Sequence, residues 1–199
     1  MIKKGFLELI KFLFSHLLFR VKYLGLENIE NAGKCVVCPN HSTIFDPFWV
    51  YFKSKDMWIM AKAELFKNKI LAALLKAYNV FPIKRGKKDA GSLIHSINVI
   101  EKNDNAKLLV FIEGTRIKKD KQRGKAKVGP AFIASKAGVP IIPVHITKNP
   151  RIFSKVVVRF GKPIVLPEGI HDNKEELQKE SNMILDKIYD LDINIKNNT

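Results

Sequence analysis

Residues 34–52 read KCVVCPNHSTIFDPFWVYF. Residues 34–39 are a short apolar run with strand-favouring valines, and it ends abruptly at the polar pair Asn40-His41. Asp46-Pro47 then has the form of a helix N-cap followed by a first-turn proline, opening a helix through residue 52. This is a strand, a polar turn and a helix. Working outward, the same alternation repeats. Residues 57–60 form a possible strand, and residues 63–78 an amphipathic helix with Phe66, Ile70, Leu74 and Ala77 on one face. A strand over 80–84 precedes a helix over 89–102 that aligns Leu93, Ile97 and Ile100. The buried-type strand LLVFI at 108–112 runs directly into Glu113-Gly114-Thr115-Arg116. A helix over 129–136, which Gly138 terminates, leads to strands at 140–146 and 155–160 and a last helix over 173–191. Such alternation predicts an α/β fold, a mainly parallel central sheet flanked by helices. Functional groups in such sheets gather at the carboxyl ends of the strands.

The chain has 199 residues, enough for one domain with a substantial core. At 46% hydrophobic residues it is too apolar for intrinsic disorder, and two cysteines cannot staple a secreted scaffold. Cys35 and Cys38 form a C-x-x-C, but no second ligand pair accompanies them and both fall inside a strand, so they read as packing residues. The net charge of +16 calls for an anionic partner. Nucleic acid fits poorly: no recognised binding motif is present, only six of the 35 basic residues are arginine, and the aromatics lie in apolar runs.

The first 22 residues favour a membrane. Residues 2–22 contain no proline, and on a helix Lys4, Glu8, Lys11, Ser15 and Lys22 make one narrow polar stripe. The longest uncharged stretch, 12–19, is too short to span a bilayer, for which about 20 residues are needed. Glu8 and Lys11 interrupt any signal-peptide core. The expectation is an interfacial helix over residues 1–24, with Phe6, Phe12, Phe14 and Phe19 in the acyl region, followed by the α/β domain over 25–199.

Three groups of reactive side chains stand at predicted strand ends. His41 and Asp46 are five apart across a strand-to-helix turn, so the carboxylate can fix the imidazole tautomer and leave the other ring nitrogen as a base. On spacing alone a second reading stands beside it, a loop histidine and a helix-capping aspartate. Lys84-Arg85-Gly86 follows the second group's strand, and Glu113-Gly114-Thr115-Arg116 the third. Arginine in such turns suits bidentate capture of phosphate or carboxylate, or else pairs with a nearby glutamate in solvent. Gly114 permits a sharp turn that presents amides to an anion. The run Val139-Pro140-Ile141-Ile142-Pro143-Val144 has no reactive atom, and its prolines suggest an edge or bulged strand.

These blocks, Asn40-His41 with Asp46-Pro47, residues 81–85, residues 111–116 and residues 139–144, resemble in order and spacing the four blocks of the glycerolipid acyltransferases. The likeness is strongest to bacterial 1-acyl-sn-glycerol-3-phosphate (lysophosphatidic acid) acyltransferases and runs from about residue 26 to 163. Ser42-Thr43 and Ile117 depart from the usual Gln-Ser and Ser of that family. The resemblance implies His41 as general base and Asp46 as its orienting partner. It implies that Lys84, Arg85, Glu113, Gly114, Thr115 and Arg116 bind substrate. The implied reaction transfers an acyl group from acyl-CoA or acyl-carrier protein to the hydroxyl of lysophosphatidic acid, giving phosphatidic acid. No other cofactor and no metal are expected. The implied setting is an anionic membrane surface on the cytoplasmic face. Glycerol 3-phosphate or another lysophospholipid is the alternative acceptor, and a non-catalytic lipid-binding relative the alternative function.

Overall fold

A computed structural model of the chain describes residues 18–54, 56–83, 90–118 and 122–196. Seven strands form one sheet: β1 (Arg20–Leu24), β2 (Cys35–Pro39), β3 (Met57–Lys62), β4 (Val80–Ile83), β5 (Lys107–Leu109), β6 (Ile141–Ile146) and β7 (Lys155–Phe160). Their order is β1-β7-β6-β2-β5-β3-β4. Strands β2 to β6 all run parallel; β7 is antiparallel to β6 and carries β1 parallel to itself. The expected α/β class is therefore the observed one, and five carboxyl ends share one edge of the sheet.

The helices are α1 (Glu27–Glu30), α2 (Asp46–Tyr51), α3 (Lys69–Ala77), α4 (Ala90–Lys102), α5 (Gly129–Ala137) and α6 (Lys174–Lys196). Residues on alternate sides of the strands divide the core in two. Val36, Cys38, Leu108 and Ile141 meet Ile100 of α4, Ala131 and Ile133 of α5 and Leu177, Ile184 and Ile188 of α6. Cys35, Val37, Leu109 and Ile142 meet Phe19, Ile29 and Trp49 on the other face. Gly138 ends α5 in the left-handed conformation as its position foretold (φ 63°). Among the described residues no helix is long and apolar enough to cross a membrane.

Three expectations change. Most of the segment expected as an interfacial helix, residues 1–17, lies outside the described residues. Its end is not helical: Arg20–Leu24 is strand β1, paired along its length with β7, so the boundary placed after residue 24 would cut a strand from its sheet. The reason is local alternation, with Arg20 and Lys22 outward and Val21 and Tyr23 inward. Phe19, expected in lipid, is 2% exposed and stands edge-on to Trp49 in the protein core. The helix expected over 63–78 is two elements, a 3-10 turn (Ala63–Phe66) and α3. Asn68 divides them because its Oδ1 accepts from the amides of Ile70 and Leu71, capping a new helix. Finally, β6 is an interior strand despite Pro143. Pro143 offers its carbonyl to the Gly161 amide just past β7, so its missing N–H faces a position beyond the β6–β7 ladder.

Cys35 and Cys38 face opposite sides of β2, in different halves of the core, and both are free thiols. Burial pushes the Cys35 thiol up to about 12 against the pull of Lys107, and raises Cys38 as well. Neither thiol should react with a chromogenic disulfide reagent at pH 8 in the native protein. Both should react in guanidinium chloride, a comparison that a single absorbance trace provides.

Candidate active site

Strand β2 delivers its last residues to the carboxyl edge, and side chains take over where the ladder stops. The Asn40 amide group donates to the Ile146 carbonyl (2.9 Å) and its Oδ1 accepts from the Ile146 amide (2.7 Å). This two-way bond fastens the end of β2 to the end of β6, so the next residue starts from a fixed point. That residue is His41.

His41 Nδ1 lies 2.8 Å from Asp46 Oδ2, with both residues buried. The same Oδ2 accepts from the amides of Ser42 (2.6 Å) and Thr43 (2.9 Å), and Oδ1 accepts from the Thr43 hydroxyl (2.6 Å). Every partner of this carboxylate is a donor. Nδ1 therefore carries the hydrogen and Nε2 carries the lone pair. The expected capping role does not apply: Asp46 is the first residue of α2, and its side chain reaches back into the loop. Phe111 stacks on the imidazole, with centroids 3.8 Å apart and planes 17° apart, and holds the ring in that orientation.

The block after β5 closes the site from the other side. The chain turns at Phe111, whose carbonyl accepts from the Gly114 amide (3.0 Å), and Gly114 takes the left-handed conformation (φ 66°). Its own amide is thus spent inside the turn and is not among the N–H groups that the turn can offer an anion. The turn aims Glu113 inward. Glu113, expected at the substrate, is 2% exposed and surrounded by donors from the protein. Its Oε2 accepts from the His41 amide (3.1 Å), and its Oε1 from the Gly124 amide (2.8 Å) and the Tyr189 hydroxyl (2.9 Å). Burial and the neighbouring Glu113 charge both raise the Tyr189 hydroxyl's pKa, keeping it a proton donor. Glu113 is a brace for the backbone of His41. Thr115 and Arg116 remain exposed at the rim. The Ile117 amide donates to the His41 carbonyl (2.7 Å), which keeps Arg116 beside the histidine loop. Lys84 and Arg85 lie outside the described residues, next to the end of β4 at Ile83.

An acyltransferase family model matches residues 20–147. The chain belongs to the acyltransferase family. It is 33% identical over 179 residues to the 1-acyl-sn-glycerol-3-phosphate acyltransferase of Streptococcus pneumoniae, covering 85% of this chain and 65% of that protein. A chloroplastic protein of the same name from Brassica napus is 25% identical over 80% of this chain and 47% of its own length. The chain thus spans from about half to two thirds of these relatives' length. The crystal structure of the 1-acyl-sn-glycerophosphate (LPA) acyltransferase PlsC from Thermotoga maritima aligns with a TM-score of 0.66 at 26% identity, over 86% of this chain and 72% of that one.

In this chain the matched blocks divide into two kinds of residue. His41 and Asp46 meet as the blocks imply, whereas Glu113 and Gly114 shape the site from within. The sequence reading missed Asn40 as a clamp, Phe111 as a stacking wall and Tyr189 as a brace. Only the first two stand inside a matched block. Glu113→Gln presents an N–H to a site supplied entirely by donors, so it should lower unfolding free energy by about 2–3 kcal/mol. Tyr189→Phe, which removes one donor, should cost roughly 1–2 kcal/mol. Urea titrations of both variants check the order.

Proposed function

We propose that the protein is an O-acyltransferase that moves an acyl group from a thioester to the free hydroxyl of lysophosphatidic acid, forming phosphatidic acid. The buried His41–Asp46 pair at a strand's carboxyl edge, in a chain of the acyltransferase family, carries this reading. The relatives' names supply the acceptor.

In the proposed mechanism Nε2 of His41 takes the proton of the acceptor hydroxyl as its oxygen attacks the thioester carbonyl. Asp46, held in place by the amides of Ser42 and Thr43 and the Thr43 hydroxyl, faces Nδ1 and stabilises the imidazolium that forms. Collapse of the tetrahedral intermediate breaks the carbon–sulfur bond, and the imidazolium returns its proton to the departing thiolate. The substrate alcohol is the nucleophile, so no acyl-enzyme forms. Arg116, with Lys84 and Arg85 by resemblance, holds the acceptor phosphate and so positions the hydroxyl. Both acyl-CoA and acyl-carrier protein meet the chemical requirement for donor, and either is acidic enough to suit a chain of net charge +16. An acceptor with an acyl chain resides in a bilayer. The protein accordingly works at an anionic membrane surface, on the cytoplasmic face where thioesters are made.

Purified protein given lysophosphatidic acid or glycerol 3-phosphate, each with palmitoyl-CoA or palmitoyl-carrier protein, should form phosphatidic acid from the first acceptor. His41→Ala should lower kcat by roughly 10³-fold or more. Arg116→Ala should chiefly raise KM for the phosphorylated acceptor. Product detected by mass spectrometry at equal rates from wild type and His41→Ala would remove His41 as the base.

A further inference from the structure

The carboxyl edge that carries His41 also gathers large apolar side chains that face water. Ile44, in the loop between His41 and Asp46, is 63% exposed; Leu65, just past β3, is 44% and Ile70, at the start of α3, is 84% exposed. The loop from β6 to β7 adds Ile152 at 62% and Phe153 at 66%. These residues come from three separate connections, all at the same ends of parallel strands. Exposed apolar side chains spread along one edge, from the connection after β3 to the one after β6, suit a broad surface that meets the whole edge.

Two of the elements are built at a cost that the fold itself does not require. Helix α3 is almost wholly apolar, KILAALLKA, yet none of its residues is buried. Its first turn is nevertheless held by Asn68, so the helix is a formed element with an outward apolar face. Phe153 combines an exposed ring with a left-handed backbone (φ 67°), a conformation that a bulky side chain rarely adopts.

The charges around these residues identify the occupant. Residues 62–77 carry Lys62, Lys67, Lys69 and Lys76 against one carboxylate, Glu64, and residues 147–155 carry Arg151 and Lys155 against none, besides Lys148, whose ammonium donates to the Gln122 carbonyl. Apolar side chains ringed by cations suit an anionic lipid surface, with lysine stems beside the apolar layer and ammonium groups at the headgroups. A second copy of the chain would set these cations against their own kind. The first 17 residues, rich in Leu and Phe, also join the fold here, since Arg20 of β1 pairs with Lys155 at this edge.

We infer that the carboxyl edge of the sheet is itself a membrane-docking face, which inserts Ile44, Leu65, Ile70, Ile152 and Phe153 into an anionic leaflet and sets His41 at the headgroup level. This rests on the acyl-transfer reading for its purpose, though its test does not. The full chain and the variants Ile70→Ser, Phe153→Gly and their combination are sedimented with vesicles of phosphatidylcholine and phosphatidylglycerol. Each single variant should weaken vesicle binding about tenfold, and the pair more, because each removes one inserted side chain. Phe153→Gly should keep or raise the thermal midpoint, because glycine accepts that backbone freely, whereas a packing role would lower it. Transfer to lysophosphatidic acid in vesicles should fall with binding, while transfer to a water-soluble short-chain acceptor should stay at the wild-type rate. Wild-type vesicle affinity in the double variant would overturn the inference, as would a wild-type dimer in light scattering that the variant dissociates without losing vesicle affinity. Lost vesicle binding with no transfer to any acceptor by the wild type would uphold the face and defeat the acyl-transfer reading alone.

Discussion

The carboxylate of Asp46, fully buried, accepts hydrogen bonds from the amides of Ser42 and Thr43, the Thr43 hydroxyl and His41 Nδ1. A buried anion is tolerable only when its lone pairs are filled, and here three of the four bonds come from the turn that it closes. The geometry of residues 41–46 is therefore not adjustable: moving the loop would strip donors from the charge. That constraint sets the imidazole tautomer, and the tautomer is what makes Nε2 available for chemistry. The departure at Ser42-Thr43 from the usual family residues has a role in the same arrangement. Thr43 supplies a hydroxyl to Asp46, and Ser42 accepts from the Asn149 amide across the edge.

Glu113 solves a different problem with the same chemistry. Its carboxylate draws together the backbone of His41, the loop at Gly124 and Tyr189 of α6, three segments far apart in sequence. Neutral groups alone would hold these loops less tightly, since bonds to a charged acceptor are about twice as strong. Arg123 and Lys148 lie over the Tyr189 ring, placing positive charge near the buried anion. One carboxylate thus orients the histidine side chain and the other fixes its main chain.

The sequence made legible whatever depends on local order. Strand β2, its turn and helix α2 follow from valines, a polar pair and a proline in succession. The meeting of His41 and Asp46 follows from a short loop, and the end of α5 from Gly138. What stayed hidden depends on distance or on neighbours. Strand β1 spans five residues at the end of a run apolar enough to read as helix, and its alternation is too short to declare a strand until β7 pairs with it. Glu113 resembles a substrate ligand because its block is polar; nothing local announces that Tyr189, 76 residues away, will meet it with a donor once the turn has aimed it inward. Pro143 in β6 marks an edge by rule, yet the N–H that it lacks points where the ladder has already ended.

Sheet polarity links the chemistry to its surroundings. Because β2 through β6 are parallel, every loop that follows them opens on one side, and the reversal at β7 brings the amino end of β1 to that side too. The histidine, the exposed arginine of the third block, the cation-flanked apolar loops and the junction with the apolar first 17 residues are thereby confined to a single edge. An acceptor held in a bilayer by its own acyl chain reaches such an edge headgroup first, with its phosphate toward cations and its hydroxyl toward Nε2. Had β6 and β7 been parallel, the connection between them would have crossed to the other edge, and the amino-terminal junction, in register with Lys155, would have lain there, away from His41. The one antiparallel step in the sheet is therefore what lets a single surface carry both the base and the apolar contacts.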